Sequence, residues 1–264
     1  VITGAASGIG RATAELFAER GHAVVAVDRV TNGFDWAAGR DGIETFVGDV
    51  GDDQVNAAVV ALALERFGRL DVSILNAGVV TGLPLEDPAS MDRLDAILAV
   101  NVRGVASGIR HAAPAMRATS DGGAIIATAS TSGLRGDPRN WAYNASKAAV
   151  VNLVRAAAMD YGHEGIRVNA VAPGPVETGM TAGLKNVPAM HQAMARRIPL
   201  QRWGQPAELA EAYWFLASPA ASFITGVTLP VDGGISAHAG HFDLPERVVP
   251  DGVTVPGAGG RVPV

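Results

Sequence analysis

The sequence predicts an α/β fold, a single doubly wound parallel sheet flanked by helices on both faces. Three observations lead there. Short apolar runs alternate with longer stretches of helical pattern, the order that a parallel sheet with crossover helices requires. Several of the runs close on turn residues such as Asp28, Asn76 or Asp232-Gly233-Gly234. No internal repeat or linker divides the chain, and 264 residues with 48% apolar content suffice for one large buried core.

The elements follow in order. Val1-Ile2-Thr3-Gly4 reads as the end of a buried strand entering a turn. A strand usually has about five or six residues, so its beginning is expected upstream of Val1. Further strands are expected at 23–27, closed by Asp28, and at 43–47, 72–75, 124–129, 168–171 and 227–231. Helices are expected at 9–20, 53–67, 91–116, 142–161 and 206–216. Such crossovers bring all strand C-termini to one edge of the sheet, where ligands bind in open α/β folds. Residues 1–234 are thus expected to form one domain, at whose ligand-binding edge a cofactor and the catalytic groups argued below would meet. Residues 235–264 are rich in Gly and Pro without a clear period, and read as a C-terminal extension that packs on its own subunit, reaches a neighbour or stays mobile.

Composition excludes several classes of function. The formal net charge is -5, whereas a nucleic-acid or anionic-membrane partner calls for a basic face. No apolar run reaches the roughly 18 residues of a transmembrane helix, so no membrane partner is expected. Cysteine is absent, which removes disulfides and Cys-based zinc sites. A reducing, cytoplasmic location is expected. The six histidines show no metal-ligand spacing; His238 and His241 lie close together without an acidic cluster, and no metal is expected.

The loop Thr3-Gly4-Ala5-Ala6-Ser7-Gly8-Ile9-Gly10 joins the first strand to the first helix. Its glycines allow a tight turn and a close approach of backbone to a pyrophosphate. The helix N-terminus adds free N–H groups and the positive end of a dipole. Asp28 ends the second strand, where a carboxylate can hydrogen-bond ribose hydroxyls and repels a 2′-phosphate. NAD(H) is therefore expected over NADP(H), although Arg29 beside it could hold that phosphate. Asp49-Val50 and Asn76-Ala77-Gly78 follow the third and fourth strands. The first pair could contact adenine, and the second group offers a small-residue turn beside the cofactor.

Tyr143-Asn144-Ala145-Ser146-Lys147 opens a helical stretch, and residues four apart share one helix face. A tyrosine with a pKa near 10 is a poor base at neutral pH. A neighbouring ammonium and a positively charged nicotinamide would lower that value and let the phenolate take an alcohol proton. Ser130, in Ala129-Ser130-Thr131-Ser132-Gly133, could hold the substrate oxygen, with Ser132 a weaker competitor. Asn101 is an amide in an apolar helix and needs partners if buried.

These motifs resemble the short-chain dehydrogenase/reductase family. The matching features are Thr3-Gly4-x-x-x-Gly8-Ile9-Gly10, Asp49-Val50, Asn76-Ala77-Gly78, Asn101, Ser130, Tyr143-x-x-x-Lys147, Pro173-Gly174 and Val231-Asp232-Gly233-Gly234. They run in the family's order over nearly the whole chain up to Gly234. The resemblance implies a Rossmann-type oxidoreductase moving a hydride between a nicotinamide cofactor and a secondary alcohol or ketone. It implies a catalytic tetrad of Asn101, Ser130, Tyr143 and Lys147. Lys147 would also bind the nicotinamide ribose, and Asn101 would support a water-mediated proton relay. The positions of Val176 and Thr178 would hold the nicotinamide carboxamide. One departure is Leu75, where the family often has a second Asn; only local turn packing should change.

The family resemblance also makes 179–203 a mobile substrate loop, whose Met180, Met190 and Met194 either mould around an apolar ligand or pack in the core. Arg135, Asp137, Arg139, Asn140 and Trp141 border the substrate region and hint at a polar or ring-bearing substrate. A small cyclic or aliphatic secondary alcohol is expected. The resemblance implies a homotetramer, or less often a dimer, with the helices at 91–116 and 142–161 pairing across subunits. The competing readings are an NADPH-dependent 3-oxoacyl-thioester ketoreductase and a cofactor-sensing protein without chemistry. The second has no need of all four tetrad residues.

Overall fold

A computed structural model describes residues 1–238. The extension expected at 235–264 therefore lies outside the described residues from residue 239 on, as does His241.

Seven parallel strands form one sheet in the order β3-β2-β1-β4-β5-β6-β7. They are β1 (Ile2–Thr3), β2 (Val24–Asp28), β3 (Ile43–Val47), β4 (Val72–Leu75), β5 (Gly123–Thr128), β6 (Ile166–Pro173) and β7 (Thr228–Val231). Each matches an expected run to within two residues at either end. Both faces of the inner strands are buried, and β5 has the largely apolar pattern this demands, whereas β6 adds Arg167 and a buried Asn169 to its apolar residues.

Helices cover both faces. On one side lie α1 (Gly8–Glu19) and α8 (Pro206–Ala217), packing Phe17, Leu209, Tyr213 and Leu216 against Ile2, Ala26, Ile74 and Ile126. On the other lie α2 (Asp53–Phe67), α4 (Gly104–Thr119) and α5 (Trp141–Tyr161). They pack Val59, Ile109, Val150 and Val154 against Val25, Val27, Ile125 and Val168. The strand order turns outward in both directions from β1 and β4, so the crevice between their C-termini is the topological switch point.

The helix expected at 91–116 is not continuous. It divides into α3 (Ser90–Leu98), a π-helical turn at Ala99–Arg103, and α4. The wider turn carries Asn101, and π-turns inside α-helices are frequent at functional sites. The chain stays helical through this turn, so the sequence reads as one helix.

The segment 179–203 holds two short helices, α6 (Ala182–Lys185) and α7 (Pro188–Ala195). Its anchors in the core are Ile198 and Trp203, whereas Met180 and Met190 are each 52% exposed. The core-packing alternative for those two methionines is thus removed. At the far end of the sheet, the Arg167 guanidinium donates to the carbonyls of Leu216, Ala217 and Ser218 at the C-terminus of α8, at 2.6–3.4 Å. A cation there complements the helix dipole and fixes α8, and with it Tyr213, against the sheet. Among the described residues no helix is long and apolar enough to cross a membrane.

Candidate active site

The Gly-rich loop after β1 is held by its glycines and by its neighbours. A Cβ on Gly10 would lie 2.1 Å from the Gly4 carbonyl oxygen, so the helix can start this close to the turn only without a side chain. Gly8 has a φ of +55°, and a Cβ there would meet the Thr178 side chain at 3.3 Å. The loop and Thr178 therefore face one another across a gap that glycine keeps open. Ser7 is the N-cap of α1 with no side-chain cap bond, and the first turn holds no acidic residue. This leaves first-turn N–H groups of α1 without a side-chain acceptor, as an anion site requires. Ile9 continues the turn, its carbonyl accepting from the Thr13 hydroxyl.

The remaining expected cofactor residues lie around this loop. Asp28, at the C-terminus of β2, accepts from the Ala6 N–H at 3.1 Å and from the Arg29 N–H at 2.7 Å. Its carboxylate is thus held at the loop, and Arg29 is exposed beside it. Asn76 donates to the Thr3 carbonyl, while the N–H groups of Asn76 and Ala77 both donate to the Thr3 hydroxyl. A Cβ on Gly78 would lie 3.3 Å from both Asn101 Oδ1 and Lys147 Nζ, which sets this turn over the chemical groups. Gly174 follows Pro173 at the end of β6 and packs directly on Asp232. Val176 sends its side chain into the core and its carbonyl to the Thr181 hydroxyl at 2.6 Å. Asp49 is exposed and accepts from the Gly51 N–H, and Val50 is buried with its carbonyl on Asn56. Leu75 points into the core, so close to Gly108 that a Cβ there would meet it at 2.4 Å. The departure from the family pattern is absorbed by that packing.

The four chemical residues come from three elements. Ser130 follows β5, Tyr143 and Lys147 sit on the first two turns of α5, and Asn101 is in the π-turn. Lys147 is 3% exposed, and its ammonium donates to the Thr128 carbonyl at 2.7 Å. Burial lowers its pKa to about 8. It lies 5.7 Å from the centre of the Tyr143 ring, within cation–π range. Removal from water pushes the Tyr143 phenol above its ordinary value; a hydrogen bond with Ser130 pulls it back, and the charge of Asp137 pushes it further up. The chain's own groups thus oppose ionisation of Tyr143 on balance. The expected lowering by Lys147 is not what sets this direction, because the ammonium is turned to the Thr128 carbonyl. Ser132 donates its hydroxyl to Asp137 and its N–H to Ser130 Oγ at 3.1 Å, so its own hydroxyl is already engaged.

Asn101 is fully buried and its amide is completely used. Its Oδ1 accepts from the Val79 N–H at 2.8 Å, and its Nδ2 donates to the Val79 carbonyl at 2.9 Å and to Ser146 Oγ at 3.0 Å. Ser146 in turn donates to the Tyr143 carbonyl at 2.8 Å. Asn101 therefore fixes the loop after β4 to the turn of α5 that carries Tyr143.

Sequence reasoning missed Thr128 and Tyr213. Thr128 Oγ1 lies 2.6 Å from the Tyr213 hydroxyl and 3.2 Å from Asn76 Oδ1. Burial pushes the Tyr213 phenol strongly upward, so it stays neutral and structural. A tyrosine within an otherwise apolar helix stretch was the available signal. Above the site, His191 stacks on Trp203 at 4.7 Å and stands 3.5 Å from Glu177. This seats α7 beside the loop that carries Val176 and Thr178. A cavity of about 240 Å³ lined by Phe17, His22 and Leu70 opens at the opposite edge of the sheet and holds none of these groups. Among the described residues no cluster of three or more His, Cys, Asp or Glu could hold a metal.

A glycine-lined helix N-terminus and a Ser-Tyr-Lys group at one sheet edge define a nicotinamide-dinucleotide oxidoreductase. A family model described as enoyl-(acyl carrier protein) reductase matches residues 4–236. The chain is 44% identical to cis-4-hydroxycyclohexanecarboxylate dehydrogenase of Sinomonas cyclohexanicum, covering 90% of this chain and 96% of that protein. A crystal structure of 3-ketoacyl-(acyl-carrier-protein) reductase from Brucella melitensis complexed with NADH superimposes with a TM-score of 0.82. It is 37% identical, over 89% of this chain and 96% of that one. A gluconate 5-dehydrogenase from Burkholderia cenocepacia J2315 in complex with NADP and tartrate gives 0.83 at 34% identity, over 90% and 94%. The chain belongs to the short-chain dehydrogenase/reductase family. It is an NAD(P)-dependent oxidoreductase that interconverts secondary alcohols and ketones.

The Asn101 clamp predicts a stability effect. Asn101→Ala strands the partly buried Val79 N–H and carbonyl, at a cost of about 1–3 kcal/mol. Urea unfolding followed by circular dichroism should show that loss; an unchanged midpoint would mean the clamp is not structural.

Proposed function

We propose that Tyr143 is the general acid/base, that Ser130 holds the substrate oxygen and that Lys147 orients the cofactor and supports Tyr143. The observation that carries this reading is the buried Lys147 ammonium 5.7 Å from the centre of the Tyr143 ring, with Ser130 close enough to act on that phenol, at the same sheet edge as the uncapped start of α1. The bound nicotinamide supplies a hydride acceptor in oxidation and a hydride donor in reduction. The phenolate oxygen of Tyr143 takes the alcohol proton as the C–H hydride leaves, and the carbinol becomes a carbonyl. In reduction Tyr143 returns that proton to the carbonyl oxygen. An ammonium has three donors, and Lys147 spends one on Thr128, leaving two for ribose hydroxyls. Asn101 acts as a positioning residue through Val79 and Ser146.

The proposal extends to cofactor choice and assembly. Asp28, fixed at the loop by Ala6, favours ribose hydroxyls over a 2′-phosphate and hence NAD(H). Gly4, Ser7, Gly8, Ile9 and Gly10 would cradle the pyrophosphate, Asp49 and Val50 the adenine, Asn76, Ala77 and Gly78 the ribose side, and Pro173, Gly174, Val176 and Thr178 the carboxamide. The substrate is a small cyclic or aliphatic secondary alcohol or its ketone. Helix α5 presents exposed Ala145, Ala149, Asn152, Ala156 and Met159, a face suited to pairing with a second copy in a homotetramer. A cytoplasmic location belongs to the same reading, since a chain without cysteine gains nothing from an oxidising compartment.

Two outcomes are expected. Tyr143→Phe should lower turnover of secondary alcohols on the order of 10²–10⁴-fold while cofactor binding, read by fluorescence, persists; full turnover would remove the acid/base assignment. In steady-state assays kcat/KM should be higher with NAD⁺ than with NADP⁺, and Asp28→Ser should narrow the gap; a preference for NADP⁺ in the parent would reverse the cofactor assignment.

A further inference from the structure

The loop between Ser130 and α5 carries a carboxylate that the hydride-transfer chemistry does not use. Asp137 Oδ2 accepts from the buried Ser132 hydroxyl. Ser132 is tied through its N–H to Ser130 Oγ at 3.1 Å, and Ser130 sits close enough to Tyr143 to act on its phenol. The backbone of Asp137 is pinned from the other side, its carbonyl accepting from Asn144 Nδ2 at 2.8 Å. The carboxylate thus has a fixed place one hydrogen bond from the serine turn that touches the acid/base. Asp137 is itself exposed, and its charge helps to raise the Tyr143 phenol.

No cation among the described residues neutralises it. Among the described residues Asp137 has no ion pair, and Oδ1 accepts no hydrogen bond. Arg135 and Arg139 each lie two residues away; Arg135 donates to the Ser236 carbonyl, and Arg139 makes no ion pair with it. An ionised carboxylate with one oxygen committed and one open favours a ligand that brings a donor. It disfavours an anionic group close to the carbinol, since like charges repel. A cationic donor is disfavoured in turn by Lys147 in the same site. A neutral hydroxyl satisfies both constraints.

We propose that Ser132 and Asp137 form a recognition pair for a second hydroxyl next to the reacting carbinol, so that the enzyme prefers vicinal diols and α-hydroxyketones. This rests on the placement of Ser130 and Tyr143 proposed above. The carbinol oxygen lies on Ser130 and Tyr143, and the neighbouring hydroxyl donates to Asp137 Oδ1 and accepts from no charged group. The pair is a specificity element, distinct from the groups that move the proton.

The test compares 2,3-butanediol, 2-butanol and 3-amino-2-butanol as substrates for the full chain with NAD⁺ and with NADP⁺. The parent protein should favour the diol over 2-butanol in kcat/KM by tenfold or more. Asp137→Ala should bring that ratio to within about threefold of one. Asp137→Asn, which keeps the size of the side chain, should lower it in the same direction. Thermal melting of each variant, together with the 2-butanol assay, separates lost discrimination from lost folding. A parent ratio near one, a ratio unchanged in both variants, or a preference for the amino alcohol would overturn the proposal. Turnover of none of the three alcohols while the cofactor binds would instead end the placement of Tyr143 and Ser130, and this inference with it.

Discussion

The site depends on a buried ammonium. Taking a lysine out of water costs several kcal/mol unless its charge is met by aligned partners. Lys147 is met by one carbonyl, that of Thr128 at the C-terminus of β5, and by the face of the Tyr143 ring. Both partners belong to elements that must be in place first. The strand end, the first turns of α5 and the turn that carries Ser130 are thus placed around the same cation. A depression to about 8 still leaves the amine charged at neutral pH, so the penalty is carried in the folded protein.

A second, uncharged network fixes the strand ends on which that cation depends. Thr3 accepts from the N–H groups of Asn76 and Ala77, Asn76 accepts from Thr128, and Thr128 meets Tyr213. The chain runs across β1, β4 and β5 to α8, with Arg167 fixing the far end of that helix. Asn101 performs the same service from the other face through Val79 and Ser146. The Gly-rich loop and the chemical residues are therefore parts of one polar scaffold. This is the preorganisation that hydride transfer needs, since the protein contributes orientation and electrostatics while the nicotinamide carries the redox chemistry.

Much of this was legible in the residues. Strand ends were marked by Asp28, Asn76 and Ser130, and the four-residue spacing of Tyr143 and Lys147 placed both on one helix face. The breaks in that legibility have physical causes. The π-turn at 99–103 interrupts no helix, since α-helical residues flank it on both sides, so the 91–116 stretch reads as one helix. The use of the Asn101 amide depends on Val79, 22 residues away, and no local pattern encodes such a partner. Tyr213 and Thr128 meet across 85 residues for the same reason. The direction of the Tyr143 shift also escaped the sequence, because desolvation and the charge of Asp137 are properties of the folded site.

The state of the Lys147 amine tests this account most directly. The sequence holds only two lysines, Lys147 and Lys185, so side-chain NMR of lysine-labelled protein resolves the titration, with Lys185→Arg assigning the signal. The account predicts one amine with a midpoint near 8, as its burial dictates. A midpoint for Lys147 at about 10.4, where a solvated lysine titrates, would contradict it.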